Sequence, residues 1–167
     1  VNSDGTLSQA SGTSPGMGAN VSVGAVQNGS EADRKDTAYI GNGKIIVAYV
    51  NTSNSYGMYR IGTINKSTNS VTFESAAYFH YSAVRYISTI YDPDTDRVIL
   101  TWSNSNNGYI NYMVGQYSSG ATLSWGNPAT VTGSNSPYSH ACYIPGSQRV
   151  ALVYQNVSNN NSGTIIF

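Results

Sequence analysis

The sequence predicts an all-β chain of three four-stranded repeats, each about 52 residues long, and three observations predict it. The first is composition. The 167 residues include 18 Asn, 24 Ser, 14 Thr, 14 Tyr and 17 Gly, but only four Leu. Asn, Ser and Gly favour turns, whereas Tyr, Thr, Val and Ile favour pleated, half-buried surfaces. The second is recurrence. A short strand ending in Tyr, a turn, a cation and an apolar strand ending in an aromatic occur three times. The first Tyr recurs as Tyr39, Tyr91 and Tyr143, the cation as Lys44, Arg97 and Arg149, and the closing aromatic as Tyr49, Trp102 and Tyr154. The third is patterning. Ile45, Val47 and Tyr49 alternate with Ile46, Ala48 and Val50, so this strand is apolar on both faces.

Residues 1–19 are Gly-, Ser- and Thr-rich with almost no apolar pattern, which reads as a flexible arm or linker. Residues 20–167 read as a single repeat domain, and a strand near 20–26, within 20–35, is a candidate to complete the third sheet. Repeat one (36–85) has expected strands near 36–40, 44–50, 57–64 and 70–79. Repeat two (86–138) has them near 87–91, 97–103, 108–117 and 121–132. Repeat three (139–167) supplies 139–144, 149–155 and 163–167. Turns are marked by Asn42-Gly43, Asp92-Pro93-Asp94, Asn107-Gly108 and Pro145-Gly146. The register extends to Ile61-Gly62-Thr63 against Val114-Gly115-Gln116, and to Val71-Thr72-Phe73 against Leu123-Ser124-Trp125.

A strand apolar on both faces lies between two sheets. Four-stranded units of this length therefore read as propeller blades. Three blades are fewer than the roughly four to eight of a closed propeller. The chain then forms an arc completed by other copies or by sequence outside it. A β-prism or β-trefoil with pseudo-threefold symmetry stays open as the alternative.

Charge and cysteine content narrow the function classes. Lys+Arg and Asp+Glu are 8 each, so there is no basic excess to neutralise phosphates. That argues against a nucleic-acid partner and against an anionic membrane surface. The apolar run Ile45–Val50 is far too short to span a bilayer. The lone Cys142 excludes an internal disulfide and a Cys-based zinc site. A nearly uncharged surface of hydroxyls and amides suits an extracellular or virion surface.

The run Tyr91-Asp-Pro-Asp-Thr-Asp-Arg-Val-Ile-Leu-Thr-Trp102, followed by Asn107-Gly108, Met113-Val-Gly115 and Leu123-Ser-Trp-Gly126, resembles a tandem repeat of tail-fibre and other virion surface proteins of marine and cyanobacterial phages. Ile61-Gly-Thr-Ile64 and Val71-Thr-Phe73 stand at the matching places of repeat one. The resemblance covers about 36–167. Repeat one departs with Gly41-Asn-Gly43 in place of the Asp-Pro turn, and repeat three with Ile144-Pro-Gly146. The resemblance implies a non-catalytic virion component, a tail-fibre or surface-appendage module for assembly and host-surface attachment. Its partners would be other copies of itself, other virion proteins or a host-surface glycan.

Candidate chemistry is sparse. Asp92, Asp94 and Asp96 alternate as in a calcium-binding run, but lack the downstream Gly and bidentate Glu of a helix-loop-helix site, so they also read as a charged turn tip. No other metal or cofactor is expected. His140 aligns with Ser88, and His80 is the second histidine. Neither stands near a Gly-x-Ser-x-Gly nucleophile turn, so both read as ordinary strand-end groups. Cys142 aligns with Ile90 and Ala38 and reads as packing. Asp36 and Glu74 share a repeat, which keeps open a polysaccharide-cleaving, tailspike-type enzyme using paired carboxylates. Aromatics are the stronger signal. Tyr and Trp stack on sugar rings while Asn and Ser bond hydroxyls. Tyr78, Tyr81, Tyr86, Tyr109 and Tyr138 are the expected ligand-binding residues, with Tyr112 and Tyr117 also placed at strand ends or loops. The segment Tyr78–Tyr86, between repeats one and two, concentrates them. A lectin-like, carbohydrate-binding propeller with equivalent sugar sites repeated between blades is the alternative function.

Overall fold

The computed structural model describes residues 35–118 and 122–167. The expected arm (1–19) and the strand near 20–26 lie outside the described residues. All described strands pair antiparallel, and the one described helical element is a 3-10 turn, Val157–Asn159. Among the described residues no helix is long and apolar enough to cross a membrane.

The strands are β1 (Lys35–Tyr39), β2 (Lys44–Val50), β3 (Tyr56–Asn65), β4 (Ser70–Phe73), β5 (Ala77–Asp92), β6 (Arg97–Asn104), β7 (Ile110–Tyr117), β8 (Leu123–Trp125), β9 (Ala129–Thr130), β10 (His140–Ile144), β11 (Arg149–Asn156) and β12 (Ser162–Ile166). A nine-stranded sheet runs β1-β2-β3-β5-β6-β7-β8, with β4 on β3 and β9 on β7; a separate sheet runs β10-β11-β12.

The 16-residue β5 is shared. Its first half pairs with β3 and its second half with β6. The segment Tyr78–Tyr86 is therefore strand, where a join between repeats is expected from sequence. The register with β6 breaks between Arg85 and Ser88, where Tyr86 adopts a left-handed backbone (φ +52°). Such an irregularity bends a strand, and the two halves of the large sheet fold over each other there.

Burial shows the fold-over. Ile46, Ala48 and Val50 on β2, with Tyr59 and Ile61 on β3, form one core with Val98, Leu100 and Trp102 on β6. These strands are not neighbours within the sheet, so the two halves pack face to face. The opposite side of the second half contributes Ile90, Ile99 and Ile110 to another core with Val150, Leu152, Tyr154 and Ile166 of the third sheet. With β1–β4 and the start of β5 as sheet one, the end of β5 and β6–β9 as sheet two, and β10–β12 as sheet three, the three are stacked in series and sheet two packs on both faces.

Two devices recur along the stack. Tyr39, Tyr91 and Tyr143 face Ile45, Val98 and Val150 in the same cross-strand register. The residue before each repeat cation has a left-handed backbone: Gly43 (φ +70°), Asp96 (φ +54°) and Gln148 (φ +54°). Gly62 faces Phe73, and Gly115 faces Trp125. A Cβ on Gly115 would stand 2.5 Å from the Trp125 ring, and one on Gly62 would stand 2.8 Å from the Phe73 ring. Each aromatic ring lies on a glycine, which covers bare backbone and makes the Gly–aromatic pairing a packing requirement.

Candidate functional site

The junctions between sheets use one arrangement twice. At the first, the Asp36 carboxylate accepts the Thr89 amide at 2.7 Å. At the second, the Ser88 hydroxyl oxygen accepts the Ala141 amide at 3.2 Å. Ser88 stands 52 residues after Asp36, and Ala141 stands 52 residues after Thr89. One side chain on the first strand of a repeat therefore satisfies the edge amide of the next repeat. His140 occupies the same position in the third repeat. Its Nδ1 lies 3.1 Å from the Ser88 Oγ, and the residue itself is exposed.

The recurrent tyrosines extend each junction. Tyr91 Oη packs against the Gly41 turn of the preceding repeat and donates to Asp96 at 2.8 Å. Tyr143 donates to Asp94 in the turn of its preceding repeat. Lys44 lies over the Tyr117 ring, 5.4 Å from its centre.

The three aspartates enter these turns and junctions by different bonds. Asp92 is buried and accepts the Asp94 amide at 2.9 Å and the Thr95 hydroxyl at 2.5 Å, which closes the hairpin turn. Asp94 and Asp96 go to different tyrosines. Burial disfavours the Asp92 charge, but the hydrogen bonds from Thr95, Tyr143 and the turn amides outweigh it and hold its carboxyl below the ordinary 3.8. Tyr91 is pushed up to about 12 by burial first, then by its bond to Asp96 and the surrounding negative charge. Tyr143 moves the same way for the same reasons. Among the described residues no three His, Cys, Asp or Glu side chains gather to hold a metal ion.

The expected ligand-binding tyrosines separate into three places. Tyr78 and Tyr81 lie on β5 with ring centres 5.0 Å apart, and Tyr56 of β3 meets both edge-on, at 6.2 and 6.3 Å. Tyr81 is 72% exposed, so its ring is open to solvent. Asn54 braces the cluster: its amide donates to Tyr78 Oη at 3.4 Å, and its side-chain oxygen accepts the Tyr56 amide at 3.0 Å. Tyr86 and Tyr138 form a second pair, 4.9 Å apart and also 52 residues apart in sequence. Both have left-handed backbones, at φ +52° and +59°, a strained conformation for bulky side chains. Tyr86 is buried and Arg85 lies against its ring, whereas Tyr138 is 64% exposed. Tyr109 is partly buried and stands apart from both groups, its amide bonded to Asn107. Tyr112 sits within β7 rather than at its end.

Sequence reasoning missed Tyr56 and Asn54 as members of the cluster. They are about 25 residues from Tyr78 and Tyr81, and only the β3–β5 pairing brings them together. It also missed Asp36 as a junction residue. The signal was present, because the 52-residue step that pairs His140 with Ser88 reaches Asp36 when applied once more.

The remaining candidates have ordinary surroundings. His80 packs against Trp102, with ring centres 4.9 Å apart, and burial lowers its pKa. Cys142 is a free, exposed thiol, not the packing residue its alignment with Ile90 and Ala38 predicts, because it lies on the face of β10 that the second core does not cover. Arg60 donates to the Glu74 carbonyl at 2.8 Å and lies over Phe73, which uses the Glu74 backbone rather than its carboxylate. No protein-family model matches the chain, and the search of curated proteins finds no match.

Proposed function

We propose that the chain is a non-catalytic attachment module of a virion surface appendage, with the Tyr56–Tyr78–Tyr81 cluster as its contact with a host-surface glycan. The carrying observation is that cluster: an exposed tyrosine ring backed by two others, with an Asn side chain beside it. An aromatic face of this kind stacks on the apolar side of a sugar ring, while amide and hydroxyl groups bond its hydroxyls. The non-catalytic reading is supported by where the carboxylates go. Asp36, Asp92, Asp94 and Asp96 all accept hydrogen bonds that build turns and junctions. The propeller-like arc is part of the same proposal, supported by the serial stacking of the sheets.

The cluster occurs in one repeat. At the 52-residue step, Tyr78 and Tyr81 correspond to Thr130 and Gly133. This favours one site per chain over the lectin-like alternative with equivalent sites between all repeats. Monovalent affinity would then be weak, and useful attachment would come from multivalent display. The test is binding of fluorescent protein to host cells and a glycan array, with released sugars assayed in the same wells. Saturable binding without sugar release, insensitive to salt and lost in Tyr81→Ala, is the expected result. Sugar release overturns the non-catalytic reading. Binding unchanged in both Tyr81→Ala and Tyr78→Ala overturns the site.

A further inference from the structure

The two junctions inside the chain define what each end of the stack is shaped to meet. One face of sheets one and two, the leading face, is turned to the following sheet and is marked by a row across three strands. In sheet one the row is Asp36, Ala48 and Tyr59; in sheet two it is Ser88, Thr101 and Tyr112. In sheet three the same register gives His140, Val153 and Ile165. Ala48 and Tyr59 are buried under sheet two, and Ser88 and Thr101 are buried with the edge residue Tyr112 38% exposed, whereas Val153 and Ile165 are 47% and 55% exposed. The third leading face is thus a copy of a buried surface, with no following repeat among the described residues.

The opposite end shows the complement. The trailing face of sheet two, which packs on sheet one, uses Leu100 and Tyr91; in sheet three the same positions are Leu152 and Tyr143. In sheet one they are Val47 and Tyr39, and Tyr39 is 53% exposed. The amide position is also matched. Ile40 N–H bonds the Lys44 carbonyl, so by antiparallel alternation Thr37 directs its amide away from β2. Thr37 is the counterpart of Thr89 and Ala141, whose amides are taken by the preceding repeat.

We infer that the leading face of sheet three docks on the trailing face of sheet one of a second copy, head to tail, with His140 receiving the partner's Thr37 amide as Asp36 and Ser88 receive theirs. The occupant is a second copy because the internal junctions already show this surface pairing twice, with the same register and the same kind of bond. Two copies closed in this way bring six sheets together, within the roughly four to eight of a closed ring. The inference rests on the repeat register and stands or falls independently of the attachment reading.

The contact is heterologous, which gives it a specific test. Sedimentation velocity is run at high micromolar concentration on wild type, a leading-face variant (Val153→Asp with Ile165→Asp) and a trailing-face variant (Val47→Asp). Circular dichroism confirms that each is folded. Wild type is expected to self-associate and each variant alone to be monomeric. An equimolar mixture of the two variants is expected to regain a one-to-one complex through the remaining intact pair of faces. His140→Ala is expected to weaken wild-type association roughly fivefold, as for loss of one hydrogen bond. A monomeric wild type overturns the inference. So does association that survives either variant alone, which would mean a self-complementary or unrelated interface, and so does a mixture that stays monomeric.

Discussion

Gly115→Ala isolates the aromatic-on-glycine packing. Gly115 is buried on β7, and a Cβ there would lie 2.5 Å from Cε3 and 2.6 Å from Cζ3 of Trp125. Ordinary contact begins near 3.4 Å, so the ring must withdraw by the difference, about 0.9 Å. It cannot do so freely, because Trp125 meets Tyr59 edge-on at 5.5 Å, and the Tyr59 hydroxyl accepts the Leu123 amide at 3.1 Å. Overpacking of this size costs about 1–3 kcal/mol. At roughly 2–4 °C per kcal/mol for a chain of this length, Tm falls by about 2–12 °C. The assay is urea unfolding followed by far-UV circular dichroism, in wild-type and Trp125→Ala backgrounds. With the ring gone, the added methyl has space and removes the conformational cost of glycine. Gly115→Ala then becomes neutral or stabilising by about 0.5–1 kcal/mol. An equal loss in both backgrounds would mean that the cost does not come from the ring.

Other expectations follow from the same structure. Asp36→Ala leaves the Thr89 amide without its acceptor and should cost about 1.5–3 kcal/mol in urea unfolding; Ser88→Ala, at a fully buried hydroxyl, should cost about 1–3 kcal/mol. Gln148→Gly removes a non-glycine residue from a left-handed position and should stabilise by up to about 1 kcal/mol, read by the same unfolding curves. The raised Tyr91 pKa means the folded state favours the neutral phenol. Its contribution is complete below pH 10 and is lost as pH rises from 10 to about 12, and Tyr91→Phe should flatten that part of a stability–pH profile. Asp92 has the opposite sign. Its lowered pKa stabilises the fold above pH 3.8 and is lost as pH falls below that value, and Asp92→Asn should flatten the acid limb.

Much of the strand order was legible because the recurrence is strong. The expected strands at 44–50, 97–103 and 149–155 are the observed β2, β6 and β11 within a residue at either end. The Tyr and cation positions fixed the hairpin register in all three repeats. The continuity of β5 was not legible. A tyrosine in a left-handed backbone carries no compositional mark, unlike a glycine, so Tyr86 gave no sign that the join was a bent strand. Fourth strands were seen as single runs, whereas each is divided: β4 and the start of β5 on β3, β8 and β9 on β7. Phe73 and Trp125 recur at matching positions in the sequence, but their seat on Gly62 and Gly115 depends on cross-strand register. Tyr78 and Tyr81 were visible as an aromatic-rich stretch. Their separation from the Tyr86–Tyr138 pair depends on the bend in β5, and the addition of Tyr56 depends on β3 lying alongside.

Successive repeats are joined by one repeated side-chain-to-amide bond. Single-residue amide hydrogen exchange by NMR, on wild type, Asp36→Ala and Ser88→Ala, tests it most directly. Thr89 and Ala141 are expected to be protected in wild type, although both amides point away from their own hairpin partners. Asp36→Ala should release Thr89 and leave Ala141 protected, and Ser88→Ala should do the reverse. Thr89 and Ala141 exchanging at free-edge rates in the wild-type protein would mean that these bonds do not join the repeats.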